Sequence, residues 1–527
     1  MERVFAMGRI AFYSFLGLAL ALPVYYAWNT PFALIDDYSD WQFQRVFLSL
    51  DAFQVWFTGN FAQFSGGRYR PYFDISQGIS WIVLGPNPGI HHIVRILVRV
   101  CTGLFIASAY LQFCNSWRGS VPRASFEVSR FQGLAGLLLL FIFFPNNPEA
   151  RLAPQELHSG FFISMLIWIA ARALTRPQAF LSTVLLYYIA FFGLAIAKEV
   201  NFFVLPVCIL VFHLFIIKRH RLVLSVLPIL IFVHTLAKIT TAYKSGGYGS
   251  RPVNAELIWN NVAWIIQNIL LINLNWIVSI AFIALLLFVL VDSFIQIRKP
   301  LAPETRKSLL ILLTATAFLG AFGVGITTSW LQVLRYWYPM IPPIVLILGI
   351  ALFRLNLFTL DRGSLNRLLR IASVLVAIVF FLSAWPAVLY QYIVQHHSRN
   401  TELMLIKRLQ TRLDSGETIQ LDLNESEYAD KLRTILLDFN PYYYGTKPYS
   451  LDVLSPDKAS TSALFVTRNA ASVIPTEEIE SKNSYAIFKR SLAFARAFHL
   501  IRKPETYLDH GAEPFWAYKW YIGKIKR

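Results

Sequence analysis

Charge is scarce in this chain of 527 residues: 15% are Asp, Glu, Lys or Arg, and the carboxylates are fewest, 30 against 48 Lys and Arg. Cysteine is nearly absent, with only Cys101, Cys114 and Cys208. All three fall in or at the end of apolar stretches. That excludes a disulfide framework, and no CxxC or Cys/His spacing offers a zinc site. Internal repeats and low-complexity segments are lacking too. What fills the chain is apolar: 56% hydrophobic residues and a mean hydropathy of +0.50. A soluble protein of this size could not hide so much apolar surface. Several stretches reach the roughly 20 residues that a helix needs to cross about 30 Å of hydrocarbon. The chain therefore reads as mainly α, a polytopic transmembrane helical bundle.

Spans are expected near 9–28, 90–112, 131–145, 157–173, 179–197, 200–217, 222–237, 275–296, 308–327, 337–353 and 371–389, about eleven in all. Residues 9–28 have the flavour of a signal peptide, but no small-residue cleavage site follows, so they read as a retained first span. The net charge is +18. Its basic residues are interleaved with the spans, which points away from nucleic acid and towards membrane orientation. Arg118, Arg123 and Arg130, then Arg172 and Arg176, then Lys218, Arg219 and Arg221 gather in alternate short connectors. Arg298, Lys299, Arg306 and Lys307, and later Arg354, Arg362, Arg367 and Arg370, continue the series. By the positive-inside rule these connectors and the N-terminus are cytoplasmic. The first outer loop, about 29–89, is far longer than a connector requires. Residues 50–64, 72–84 and 257–273 read as helices lying along the membrane surface, the last with Trp259 and Trp264 as anchors. The loop at 238–257 carries Gly246, Gly247 and Gly249, which free its backbone.

Composition shifts near residue 390. A transmembrane domain over 1–389 gives way to a tail, 390–527, without long apolar runs. TIQLDL, SALFVTRN and YAIFKRS read as strands and YADKLRTILLDF as an amphipathic helix. The tail is expected to be a small extracytoplasmic α/β domain. The whole is expected in a bacterial inner (plasma) membrane, with its chemistry on the outer side.

The outer carboxylates cluster in a few places, each close to hydrocarbon, where an unpaired charge is costly. Asp36, Asp37 and Asp40 lie in IDDYSD, directly after the first span. They serve either as turn and helix-cap residues or as a general base or cation ligands beside a lipid-borne phosphate. Arg68 and Arg70 in GGRYRP are either headgroup-facing arginines or a phosphate grip, for which the planar guanidinium fork is suited. Glu149 and Glu156 flank Arg151 in PNNPEARLAPQELHSG. Lys198 and Glu199 interrupt the apolar run from 179 to 217, and no Gly, Asn or Pro flanks the pair directly. They mark either a hairpin turn or charges facing a cavity, where Lys198 binds phosphate and Glu199 orients Lys198 or binds a sugar hydroxyl. Arg335, in LQVLRYWYP, either snorkels beside an aromatic belt or grips a phosphate. His91, His92 and His158 read as structural histidines more readily than as metal ligands. Arg95 and Arg99, one turn apart, need anionic or carbonyl partners.

Taken in order, these features are a cytoplasmic N-terminus and first span, IDDYSD, a long loop with GGRYRP, PEARLAPQELHSG, AKE at an outer helix end, RYWYP before a late span, and an extramembrane C-terminal domain. The layout resembles, over most of residues 1–390, the GT-C superfamily of integral membrane glycosyltransferases. That superfamily includes protein mannosyltransferases, the aminoarabinose transferases of lipid A and many bacterial enzymes of the family 39 type. The resemblance implies transfer of a sugar from a polyprenyl-phosphate carrier to a lipid, glycan or protein on the outer side of the membrane, usually with inversion. It implies that Asp36 or Asp37 is the catalytic carboxylate and that AKE is the charged pair of a helix end. IDDYSD departs from a plain acidic-x-acidic triplet, so a divalent cation (Mg2+ or Mn2+ on Asp36 and Asp37) is left open. A flippase or transporter of lipid-linked sugars would more often carry repeats and broken mid-membrane helices. A polysaccharide polymerase or ligase would more often place its large outer loop late in the chain.

Overall fold

The computed structural model describes residues 2–32, 42–62, 71–118, 122–143, 156–175, 180–212, 221–244, 254–266, 276–297, 303–327, 334–360, 392, 396–422, 426–439, 452–454, 463–479 and 520–525. A long first helix, α1 (Glu2–Trp28), is followed by three shorter ones: α2 (Phe43–Leu48), α3 (Leu50–Phe57) and α4 (Pro71–Leu84). The bundle continues through α5 (Pro88–Asn115), α6 (Arg123–Phe143), α7 (Glu156–Thr175), α8 (Phe180–Ala197), α9 (Leu205–Val211) and α10 (Arg221–Lys244). It ends with α11 (Ala255–Trp264), α12 (Trp276–Ile297), α13 (Pro303–Thr327) and α14 (Ile341–Leu360). Every expected span but the last falls on one or more of these helices; 371–389 lies outside the described residues.

Among the described residues, seven helices are long and apolar enough to cross a membrane: α5, α6, α7, α10, α12, α13, and α14 with the turn before it. They divide into centre and rim. Two thirds of the α7 and α14 spans (67%) is buried, against 17% for α10 and α12. The rim helices expose Val226, Leu230 and Val233, or Ile280, Leu287 and Val291. Such rows suit contact with lipid, where an α-helix satisfies its own backbone and needs only apolar side chains outward. Inside, Tyr110, Phe113, Phe126, Phe191, Phe318 and Phe353 are almost fully buried in one core shared by the central helices.

Three local findings sharpen the sequence reading. The run 200–217 does not begin as α-helix. Lys198 is extended (φ −162°, ψ 145°), Glu199–Val204 form a 3-10 turn, and Pro206 opens α9. Proline suits a helix start, where its missing N–H costs nothing; it stands eight residues beyond Lys198, which is why the pair itself shows no turn chemistry. The loop expected from 238 starts later, because α10 continues to Lys244. Arg99 finds carbonyl partners: its Nη2 donates to Phe141 O at 2.9 Å and Ile142 O at 3.0 Å, satisfying the last turn of α6.

The tail contributes a helix over 396–414, here α15, then α16 (Ser426–Thr434) and a five-stranded sheet. The strands are β1 (Ile419–Asp422), β2 (Asp452–Leu454), β3 (Leu464–Thr467), β4 (Val473–Ile479) and β5 (Trp520–Ile525), ordered β2-β1-β3-β5-β4. β1 pairs in parallel with β2 and β3; β5 runs antiparallel to β3 and β4. Pro475 lies on the edge strand β4, beside a register shift, where a missing N–H is tolerated. TIQLDL and SALFVTRN fall on β1 and β3, while YAIFKRS lies outside the described residues. Two core residues of this unit, Phe32 and Trp81, come from the first loop rather than the tail.

Candidate active site

Three breaks in helical structure meet at the end of the bundle where α7 begins. Glu156 is the first residue of α7, a position where the helix dipole favours a carboxylate. Lys198 sits in the extended gap after α8. Its ammonium forms a buried ion pair with Glu156 Oε1. The same ammonium lies 3.5 Å from the centroid of the Tyr336 ring. Tyr336 belongs to the 3-10 turn Leu334–Met340 that precedes α14. One turn along α7 from Glu156, Ser159 Oγ accepts a 3.0 Å hydrogen bond from Asn201 Nδ2, which also reaches Leu194 O at 2.9 Å. Asn201 thus staples the gap to α7 and satisfies a carbonyl orphaned at the end of α8. Gly160 lets the α14 turn approach: a Cβ there would stand 2.7 Å from the Tyr338 ring.

Glu156 Oε2 and Asn201 Oδ1 are among the polar atoms here that are buried and bonded to no described residue. Buried polar atoms in folded proteins are nearly always paired, so such atoms mark where a ligand or water completes the site.

The first loop returns to the same place. Pro71 and Tyr72, which follow GGRYR directly, open α4. The Tyr72 hydroxyl lies 3.1 Å from His158 Nδ1, and its ring meets His158 edge to face at 5.0 Å. Burial pushes the Tyr72 phenol up to about 12, with the nearby Arg95 guanidinium acting the other way. Tyr72 therefore stays a hydroxyl at neutral pH, and Arg95 brings a second buried cation close to it.

Of the residues singled out by sequence, Lys198, Glu156, His158 and Arg95 are at this site with their side chains described. Glu199 and Arg335 have their backbone here, in the 3-10 turns, while their side chains lie outside the described residues. Asp36, Asp37, Arg68, Arg70 and Glu149 also lie outside them. Tyr336, Tyr72 and Asn201 are additions, and Glu156 gains its partner. Glu156 stood in the motif with Glu149, and its place at a helix start was the available signal; Tyr336 was passed over for its neighbour Arg335. His91 and His92 have structural partners: His91 Nε2 is 2.9 Å from Gly85 O, and His92 Nε2 is 2.7 Å from Arg399 Nη1. No group of three or more His, Cys, Asp or Glu able to hold a metal occurs among the described residues.

Fold and site together define a polytopic helical membrane protein that gathers buried charge at one end of its bundle and carries a small α/β unit. Two solved structures of ArnT from Cupriavidus metallidurans are similar to it: the apo state at 13% identity and the form bound to undecaprenyl phosphate at 12%. Each alignment covers 92% of this chain and 95% of ArnT, with a TM-score of 0.45. No protein-family model and no curated protein matches the chain.

Proposed function

We propose that this protein is a membrane glycosyltransferase of the GT-C type, moving a sugar from a polyprenyl-phosphate carrier to a lipid, glycan or protein acceptor on the outer side of the membrane. The observation that carries the reading is the Lys198 ammonium, held between Glu156 and Tyr336 at the end of the bundle, with a carboxylate oxygen beside it left for a ligand.

A sugar phosphate needs little acid catalysis, because its leaving group departs as a stable anion. The enzyme must hold that phosphate, align the acceptor and take its proton. Lys198 and Arg95 supply positive charge in a water-poor site, where electrostatic stabilisation is strongest. Arg68, Arg70 and Arg335 are further candidates for the phosphate. Glu156 orients Lys198, and its free oxygen suits a sugar hydroxyl; Glu199 and Glu149 are assigned to the sugar by proximity in sequence. Asp37, or Asp36, accepts the proton as the acceptor oxygen bonds to the anomeric carbon and the carbon–phosphate oxygen bond breaks with inversion. A divalent cation would be held by Asp36 and Asp37.

The test is transfer of radiolabelled sugar by purified protein from a panel of polyprenyl-phosphate donors, with and without Mg2+ or Mn2+. Undecaprenyl phosphate, bound in one of the ArnT structures, is the first carrier to try. Transfer that disappears in Lys198→Ala supports the reading. Movement of an intact lipid-linked sugar across vesicles, with no transfer to any acceptor, would replace it with a flippase.

A further inference from the structure

What completes the polar cluster at the start of α7 is constrained by its count of hydrogens. Asn201 is 1% exposed, and its Nδ2 donates to Ser159 Oγ and to Leu194 O. A main-chain carbonyl can only accept, so the Leu194 bond fixes which end of the amide is nitrogen. Both amide hydrogens are then used. Oδ1, buried and bonded to no described residue, is a pure acceptor. Glu156 is 2% exposed, and its Oε1 takes a hydrogen from Lys198. As the anion of that pair it has no proton to give, so the buried Oε2 is a second pure acceptor.

The two acceptors stand on neighbouring rungs. Lys198 reaches Glu156 and Asn201 reaches Ser159, each across 42 positions, so the segment after α8 and the first turn of α7 run side by side. Residues three apart on a helical turn have Cβ atoms about 5–6 Å apart. One sugar ring can therefore face both acceptors. The phosphodiester that joins a sugar to its lipid carrier offers only acceptor oxygens and cannot satisfy either atom. Hydroxyl or amino groups can, because they bring hydrogens. A ligand without them would leave the buried acceptors unpaired, which is how a site built to bond a hydroxyl rejects an analogue that lacks it.

We infer that Glu156 Oε2 and Asn201 Oδ1 form the edge of the site that reads the sugar, taking two hydrogen-donating groups on one side of the ring, and that Asn201 is a specificity-determining residue. The phosphate is left to the Lys198 ammonium. This deepens the glycosyltransferase reading and rests on it. Cations hold the carrier phosphate, and bare acceptors hold the sugar. Because Ser159 and Leu194 use both hydrogens of the Asn201 amide, it cannot turn to present a donor, and the preference is built into the packing of α7 and α8.

The experiment uses full-length protein in nanodiscs and the undecaprenyl-phosphate sugar that the donor panel shows to be transferred. Each ring hydroxyl of that sugar is removed in turn, and kcat/KM is measured for wild type, Asn201→Leu and Glu156→Gln. Glutamine keeps an oxygen for Lys198 and sets an amide donor where the free acceptor stood, so it tests the same edge should Asn201→Leu not fold. At least one deoxy sugar is expected to lose about tenfold or more in wild type. The same deoxy sugar should fall within about twofold of the parent sugar in Asn201→Leu, and one should do so in Glu156→Gln, since removing either partner of one contact removes the same interaction. Undecaprenyl phosphate without a sugar should bind wild type and Asn201→Leu within about twofold, a result that general damage to the site would not leave. Deoxygenation that costs the same in wild type and in both variants at every position overturns the subsite, while continued transfer of the parent sugar leaves the glycosyltransferase reading standing. No transfer from any polyprenyl-phosphate sugar removes that reading, and the subsite with it.

Discussion

Among the described residues, two ion pairs join helices of the bundle, one toward each end of α14, and each rests its cation on an aromatic ring. At one end Asp292 of α12 accepts from Arg354 Nε at 2.8 Å, and Arg354 stacks 3.8 Å from the centroid of the Trp117 ring. At the other, Glu156 pairs with Lys198 over Tyr336. Eighteen positions separate Tyr336 from Arg354, roughly 25 Å along a helix. The ingredients match but the completion does not. Asp292 uses both oxygens, the second accepting from Gln296 at 3.3 Å, and the Trp117 indole donates to Ser308 Oγ at 3.0 Å. That cluster is closed and joins α5, α12, α13 and α14. The Glu156 cluster leaves an oxygen and an amide carbonyl unused among the described residues. The closed pair staples helices; the open one is where the proposed function places its ligand.

The widest separation between the two ends comes from removing each cation. Lys198→Ala is expected to lower kcat/KM for sugar transfer more than about 100-fold, since it strips from a desolvated site the charge proposed to hold the phosphate. Arg354→Met should leave turnover per folded molecule within about twofold while costing about 1–3 kcal/mol of stability, the cost of leaving a partly buried carboxylate without its partner. Thermal melts beside initial rates decide this, and equal activity losses at both ends would erase the distinction. Asp37→Asn is expected to cut turnover by at least about tenfold with folding and lipid binding kept, as loss of a general base does. Wild-type rates in both Asp36→Asn and Asp37→Asn would remove those residues from the chemistry.

Smaller effects sharpen the open end. Gly160→Ala drives a methyl to 2.7 Å from the Tyr338 ring, and should lower transfer by about threefold to tenfold with modest loss of stability, as overpacking costs about 1–3 kcal/mol. Tyr336→Leu should cost about 2-fold to 30-fold, matching about 0.5–2 kcal/mol for a cation over a ring, while Tyr336→Phe keeps the face and most of the rate. The tail adds a pH dependence. Burial first, then Arg399, lowers the His396 pKa from its ordinary 6.5. Arg399 on its own helix, the Tyr26 ring on α1, and His92 across Arg399 are the groups around it. A folded pKa below the unfolded one gives stability that is complete above pH 6.5 and is lost as pH falls through the lower folded value. Melting temperature should therefore drop on acidification below pH 6.5 in wild type, and less in His396→Asn.

Much of the bundle was legible because its signal is local: long apolar runs make helices wherever they lie. Lys198 was legible for the same reason, as a charge interrupting such a run. Its partners were not. Glu156 lies 42 residues away in sequence, and Tyr72 stands 86 residues from His158; only tertiary packing joins them. Arg99 advertised a need for carbonyls, but nothing local says that α6 ends beside it. RYWYP drew attention to Arg335, whereas the ring next to it carries the described contact, because aromatic residues at a membrane boundary look alike whether they anchor or bind. In the tail, β2, β4 and β5 went unread, since three residues of DVL, a Pro-interrupted VIPTEEI and a Gly-containing YIGKI give little alternation to recognise.

The central claim is that the open ion pair, and not the closed one, receives the carrier phosphate. Binding of undecaprenyl phosphate to the protein in nanodiscs, measured for wild type, Lys198→Met and Arg354→Met, tests it most directly. The account predicts at least about tenfold weaker binding in Lys198→Met, equivalent to about 1.4 kcal/mol, and wild-type affinity in Arg354→Met. Equal affinity in wild type and Lys198→Met would contradict it.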